Sequence, residues 1–135
     1  MSRTVRVVAF VLSLVCLAVI VYLSLAKDVS VPEYVFGKDK GAHFLAYTAL
    51  GFLFFFCFHN AVYHRVIVSN LMPLLGAFSL SFLCGYAIEL CQPRFGRVFE
   101  VADLVADALG SFFGAVIGLF CVFFMWRIER RRRHR

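Results

Sequence analysis

The chain has 135 residues and a net charge of +6; 62% of its residues are hydrophobic, only 16% are charged, and the mean hydropathy is +0.86. Soluble domains contain nearer half apolar and a quarter charged residues, so the composition excludes an ordinary soluble domain and predicts a membrane protein. At about 20 apolar residues per helical span, this length allows about four spans. Too little chain remains for a separate soluble domain, and we expect one domain.

The basic charge is local, because six of the fourteen lysines and arginines are arginines in the last nine positions. A basic run beside a membrane span indicates topology and contact with lipid headgroups. No recognised nucleic-acid-binding fold accompanies the charge, and we predict no nucleic-acid partner. The five cysteines show no CxxC or Cys/His spacing typical of zinc sites, so none is assigned a role.

The first apolar stretch, residues 5–26, follows Arg3 and Arg6 and predicts a transmembrane helix. A cleaved signal peptide is the alternative, since Ser24-Leu25-Ala26 resembles a small-residue cleavage site. The apolar core is longer than the 7 to 15 residues that are usual for a signal peptide, and this favours a retained span.

Three further spans follow. A polar loop with breakers at Pro32 and Gly37 precedes a second helix, a short polar turn at 59–65 precedes a third, and Pro93 and Gly96 end the third. The predicted transmembrane helices are residues 5–26, 41–58, 66–91 and 99–126, followed by a basic cytoplasmic tail at 127–135. The predicted fold is an all-α bundle of four transmembrane helices in a single membrane domain.

The distribution of lysine and arginine predicts the orientation. With both termini in the cytoplasm, the cytoplasmic segments hold nine of these residues and the outer segments hold five. The loops after the first and third helices then both face outward. Residues near 38–47 and 89–107 would therefore enter the membrane from the same side, where they can meet in one layer.

Helical spacing predicts which way the polar groups point, because residues three, four or seven apart share a face. Three stripes result: Glu100, Asp103 and Asp107 with Gly110, Gly114 and Gly118; Glu89 with Gly85, Ser81 and Ala77; and Asp39, His43, Tyr47 and Gly51. Small residues at four-residue spacing are typical of helix contacts in membranes. The carboxylates are therefore predicted to point into the bundle, and charges at this depth indicate a functional site.

We predict that the outward-facing cluster binds a ligand. Its candidate residues are Lys38, Asp39, Lys40, His43, Tyr47, Glu89, Gln92, Arg97, Asp103 and Asp107. Three of them, His43, Glu89 and Asp103, are candidates for catalysis. A structural network of salt bridges is the alternative for the carboxylates, and capping of the broken helix is the alternative for Gln92 and Arg97.

His43 could carry a proton or bind a metal, since imidazole does both near neutral pH. The alternative is a hydrogen-bonded histidine that pairs with a carboxylate. A single histidine without ligand spacing does not predict a metal site, so we assign no metal and no cofactor.

The motif KDKGAHFLAY at 38–47, Glu89-Leu90-Cys91-Gln92, Arg97, the stretch DLVADALG at 103–110 and Gly114 together resemble the signature of the VanZ-like membrane proteins. The resemblance covers about residues 37–118. It departs at Asp107, where the family usually has asparagine, so an additional acid is expected in the cluster, or a proton shared with Asp103. The resemblance implies a small multi-pass protein of the bacterial plasma (inner) membrane with an outward-facing polar motif. The family is named for a teicoplanin-resistance protein.

Three functions are consistent with these features. The preferred one is a protein of the cell envelope that binds a polar headgroup or a lipid-linked cell-wall component and affects glycopeptide susceptibility. The alternative is an enzyme acting on an outer-leaflet lipid or cell-wall precursor, with His43 as general acid or base. A transporter or proton relay is least favoured, because the inner halves of the spans carry almost no polar groups. The expected partners are membrane lipids and a cell-wall precursor or glycopeptide.

Overall fold

A computed structural model describes residues 3–26, 40–59 and 66–133 of the chain. Its elements are α1 (Arg3–Leu25), α2 (Lys40–Phe58), α3 (Val66–Cys91), a short 3-10 helix (Gln92–Phe95) and α4 (Val101–Arg133). All four α-helices are long and apolar enough to cross a membrane, and no strand occurs in the described ranges. The predicted all-α fold with four membrane-length helices is confirmed. The cytoplasmic location of the termini stays a prediction, and Lys38 and Asp39 lie outside the described residues.

The chain reverses direction between α3 and α4 within residues 92–100. Pro93 lies in the 3-10 helix, and Gly96 follows it with a positive φ of 76°, a conformation that favours glycine. The backbone N–H of Arg97 donates to the Gln92 carbonyl at 3.1 Å. The carbonyl of Glu100 then accepts the N–H groups of Asp103 and Leu104 and begins α4. The end of α3 and the start of α4 therefore lie at the same end of the bundle.

Helices α2 and α4 pack most closely, because glycines bring their backbones into contact. A Cβ atom on Gly110 would collide with the carbonyl oxygen of Phe44, and one on Gly114 would collide with that of Thr48. On the opposing helix, a Cβ on Gly51 would lie 2.5 Å from the Ser111 carbonyl oxygen. The predicted stripe of small residues on the fourth helix is thus the surface that sets the spacing of α2 and α4.

The apolar core is narrow and lies between the four helices. Leu50, Phe55, Ala77 and Ala115 are fully buried, while large apolar side chains along the outer faces of the helices are exposed. This inside-out distribution fits a bundle surrounded by lipid. Helix α4 continues beyond its apolar part to Arg133, so the basic segment predicted as a tail is largely helical.

Candidate functional site

Polar side chains from three helices converge at one end of the bundle. Lys40 is the first residue of α2, Gln92 directly follows α3, and Glu100 directly precedes α4. One turn inside, His43 Nδ1 lies 2.8 Å from Asp107 Oδ1, although the two residues are 64 positions apart in the sequence. The structure therefore brings the two predicted polar segments together in one layer.

The inner part of this layer is sealed from solvent. We call it the buried polar cluster, and its members are His43 (7% exposed), Tyr47 (1%), Glu89 (0%), Gln92 (2%), Asp103 (2%) and Asp107 (0%). The carboxylates point into the bundle, as their spacing predicts. Such groups are stable only when they are hydrogen-bonded or neutralised, because desolvation of an unpaired charge is costly.

Glu89 ties the end of α3 to the start of α4. The side-chain amide of Gln92 donates to Glu89 Oε1 at 2.7 Å, and the backbone N–H of Glu100 donates to Glu89 Oε2 at 3.4 Å. The side chain of Gln92 thus points inward, and its amide N–H group donates to an acceptor within the protein. Both oxygens of the buried carboxylate accept hydrogen bonds, which accounts for its position at this chain reversal.

His43 and Asp107 form the contact between α2 and α4 at the centre of the cluster. Their 2.8 Å separation is that of a hydrogen bond, and the tautomer of His43 decides which atom donates. The second oxygen of the carboxylate, Asp107 Oδ2, and the hydroxyl of Tyr47 have no hydrogen-bond partner within the described part of the chain, although both atoms are buried. Helix α3 contacts the same place through Gly85, where a Cβ would lie 2.7 Å from Asp107 Oδ2 and 3.0 Å from the Tyr47 ring.

The outer part of the layer is charged and partly exposed. We call it the charged rim, formed by Lys40, Arg97 and Glu100. Lys40 Nζ lies 3.1 Å from Glu100 Oε2 and 3.8 Å from Asp103 Oδ1, and the side chains of Lys40 and Glu100 are 51% and 49% exposed. An Arg97 Nη1 group donates to the Leu23 carbonyl of α1 at 3.4 Å. The rim thus combines two basic side chains with one acidic side chain.

Two features of the site differ from, or were absent from, the sequence prediction. The helical spacing predicts Glu100 on the inward stripe of the fourth helix, but this residue precedes α4 and pairs with Lys40 at the exposed rim. The hydroxyl of Ser111 donates to that of Ser81 at 2.9 Å, a buried contact between α4 and α3 below the cluster. Ser111 lies two turns after Asp103, and this spacing is the signal that could have identified it.

The arrangement can perform two kinds of chemistry. A histidine paired with a carboxylate can exchange protons with a bound group. In addition, His43, Glu89 and Asp107 each offer one potential metal-ligand atom, and these atoms all lie within 4.8 Å of one another.

Comparison with known proteins gives one positive result. A family model described as VanZ/LLP1 matches residues 6–124 of the chain. No curated protein and no solved structure matches it significantly. The matched region includes every described residue of the buried polar cluster and of the charged rim.

Proposed function

The chain belongs to the VanZ/LLP1 family, and we propose that it binds the phosphate-bearing headgroup of a membrane lipid or of a lipid-linked cell-wall precursor at the charged rim. The proposal places this rim on the extracytoplasmic side of the bacterial plasma membrane, in agreement with the Lys/Arg distribution. Phospholipids and lipid-linked precursors share the phosphate group, so one site could accept either.

The observation that carries the proposal is the position of the rim. Lys40 is the first residue of α2 and Glu100 directly precedes α4. Both helices are of membrane-spanning length, so these residues stand at the depth at which lipid headgroups lie. Lys40 is half-exposed, and lysine and arginine are the side chains that bind phosphate. Glu100 and Asp103 beside Lys40 would favour a headgroup that also carries a hydroxyl or an amine.

Lipid affinity of charge-neutralised variants tests the proposal. Each basic residue near a membrane surface contributes about 1 kcal/mol to binding of anionic lipid, which is about fivefold in affinity. Lys40→Gln and Arg97→Gln are each expected to weaken binding about fivefold, measured by native mass spectrometry of the detergent-solubilised protein with phosphatidylglycerol and with an undecaprenyl-diphosphate lipid. Arg131→Gln removes the same charge from the exposed far end of α4 and should leave binding unchanged.

The two lipids distinguish the sources of the phosphate. A stronger effect on the diphosphate lipid than on phosphatidylglycerol would support a cell-wall precursor as ligand, and the reverse would support a phospholipid. Equal affinity of all three variants and the wild type for both lipids would refute headgroup binding at this rim. The proposed effect on glycopeptide susceptibility is read separately, from the inhibitory concentration of teicoplanin for cells with and without the protein.

The proposed orientation has its own test in Cys91. This thiol is exposed at the end of α3, beside the rim. A membrane-impermeant maleimide should label it in intact cells, or in spheroplasts where an outer membrane is present, with Cys91→Ser as the unlabelled control. Labelling only after permeabilisation of the plasma membrane would place the rim in the cytoplasm.

A second candidate function, acid–base catalysis on the bound headgroup, is favoured by the His43–Asp107 pair. A carboxylate 2.8 Å from Nδ1 orients the imidazole and fixes its tautomer. The Nε2 atom would then exchange a proton with the substrate. Incubation of the purified protein with the same two lipids, with EDTA or with added Zn²⁺, should give a product of altered mass that His43→Gln abolishes. No product under either condition would leave binding as the function.

A further inference from the structure

His43, Glu89 and Asp107 come from three different helices and converge on one point in the buried polar cluster. Their potential ligand atoms lie within 4.8 Å of one another, and the side chains are 7%, 0% and 0% exposed. We propose that this triad binds a divalent transition-metal ion, with Zn²⁺ as the probe. The inference does not depend on headgroup binding, since it concerns the inner cluster and not the rim.

The donor set suits such an ion. One imidazole nitrogen and two carboxylate oxygens are ligands that Zn²⁺ accepts, whereas Mg²⁺ and Ca²⁺ prefer oxygen alone. His43 Nδ1 and Asp107 Oδ1 are 2.8 Å apart, so a shift of about 0.6 Å would give the separation of about 3.4 Å between neighbouring ligands of a tetrahedral ion with bonds of about 2.1 Å. The ion would replace the proton that these two atoms share, and three protein ligands would leave a coordination position open for water or substrate.

Charge balance supports the same assignment. Glu89 and Asp107 are completely buried in a helix bundle of membrane-spanning length, where two carboxylates and a neutral imidazole would carry two negative charges. A bound divalent cation neutralises both at once and is the largest charge in such a site. Among the described residues, Lys40 forms ion pairs with Glu100 and Asp103.

A buried oxygen without a hydrogen-bond partner lies on one of the same carboxylates. Asp107 Oδ2 is buried without a hydrogen-bond partner among residues 3–26, 40–59 and 66–133, and the buried Tyr47 hydroxyl has none either. Buried polar atoms normally have a partner. Gly85 is what admits both groups, because any side chain there would overlap Asp107 Oδ2 and the Tyr47 ring. A metal ion with its bound water would satisfy these atoms.

Direct metal binding tests the inference. The full chain, purified in detergent and stripped with EDTA, is loaded with Zn²⁺ and passed through a desalting column, and the retained metal is measured by mass spectrometry. We expect one retained equivalent of Zn²⁺ per chain for the wild type. Glu89→Gln and Asp107→Asn should bind Zn²⁺ at least about 100-fold more weakly and therefore lose it on the column. The matched control is Glu129→Gln, which removes an exposed carboxylate paired with Arg133 at the other end of the protein. It should retain a full equivalent.

A spectrum separates this site from adventitious binding to the five cysteines. Co²⁺ bound to His43 and two carboxylates gives visible d–d bands without the charge-transfer band of a thiolate. Circular dichroism and gel filtration establish that each variant is folded. If Glu89→Gln does not fold, the inference is tested by comparing the Zn²⁺ affinity of Asp107→Asn, a nearly isosteric change, with that of the wild type. Retention of no metal by the wild type, wild-type affinity in folded Asp107→Asn, or a thiolate band in the Co²⁺ spectrum would each overturn the inference. Headgroup binding, measured in EDTA, would be unaffected by any of these results.

Discussion

Replacement of Gly85 by alanine tests the closeness of the packing at the centre of the site. The new Cβ would lie 2.7 Å from Asp107 Oδ2 and 3.0 Å from two carbons of the Tyr47 ring. A shift of either group would disturb buried contacts, since Asp107 is 0% and Tyr47 1% exposed, and Asp107 Oδ1 is bound to His43. Gly76, on the same helix, is a matched control, because a Cβ there would meet the Phe58 ring at an ordinary 3.5 Å.

Three contributions give the expected size of the effect. Alanine is favoured over glycine in a helix by about 1 kcal/mol, and this gain applies at both positions. Overpacking a buried site costs about 1–3 kcal/mol, and weakening the hydrogen bond between His43 and Asp107 costs about 1 kcal/mol, part of the roughly 1.5–3 kcal/mol that a bond to a charged group contributes. Only Gly85→Ala incurs these two losses. We therefore expect Gly85→Ala to destabilise the protein by about 2 kcal/mol and Gly76→Ala to stabilise it by up to about 1 kcal/mol.

The assay is unfolding in mixed micelles by titration with SDS, in a Cys91→Ser background that removes the exposed thiol, and it is followed through the reaction of a fluorogenic maleimide with partly buried thiols such as those of Cys57 and Cys84. The difference in the free energy of unfolding between the two alanine variants should be about 3 kcal/mol. Equal stabilities would refute the close approach of α3 to Tyr47 and Asp107, and with it the geometry of the site.

Three further predictions follow from other contacts. Gly114→Ala should destabilise by about 2 kcal/mol in the same titration, because its Cβ would meet the backbone of Thr48 and Phe52 on α2; wild-type stability would contradict the close α2–α4 contact. His43→Ala and Asp107→Ala should each lower the free energy of unfolding by about 3–5 kcal/mol. The double variant should lower it by less than the sum of the two single effects, by at least about 1.5 kcal/mol. Simple additivity would mean that the 2.8 Å pair contributes nothing to stability. Burial lowers the pKa of His59, which lies just after α2 and stacks on Phe55. Protonation therefore favours the unfolded chain, in which the pKa of histidine is about 6.5. Stability should fall as the pH drops from there toward the lowered pKa of the folded protein. The variant His59→Phe should flatten this part of the curve of melting temperature against pH. An unchanged curve would show that His59 does not titrate differently on folding.

Much of the fold follows from the sequence alone. Four apolar stretches of membrane-spanning length, separated by polar or proline- and glycine-containing segments, predict four helices, because a backbone in lipid must satisfy its hydrogen bonds within the helix. The helical period then assigns Asp103, Asp107 and the glycines after them to one face, and that face is buried. These are local properties of the chain, so a pattern within each helix is enough to specify them.

The pairing of the polar groups was decided only by the tertiary structure. The period of a helix does not specify its register against a neighbour, which is set here by contacts such as Gly110 against the Phe44 carbonyl. That register places His43 opposite Asp107 and leaves Lys40 to pair with Glu100. The convergence of His43, Glu89 and Asp107 has no counterpart in sequence spacing, because each residue comes from a different helix. The sequence therefore predicts the polar layer and its inward direction, whereas packing of glycine against backbone determines which groups meet within it.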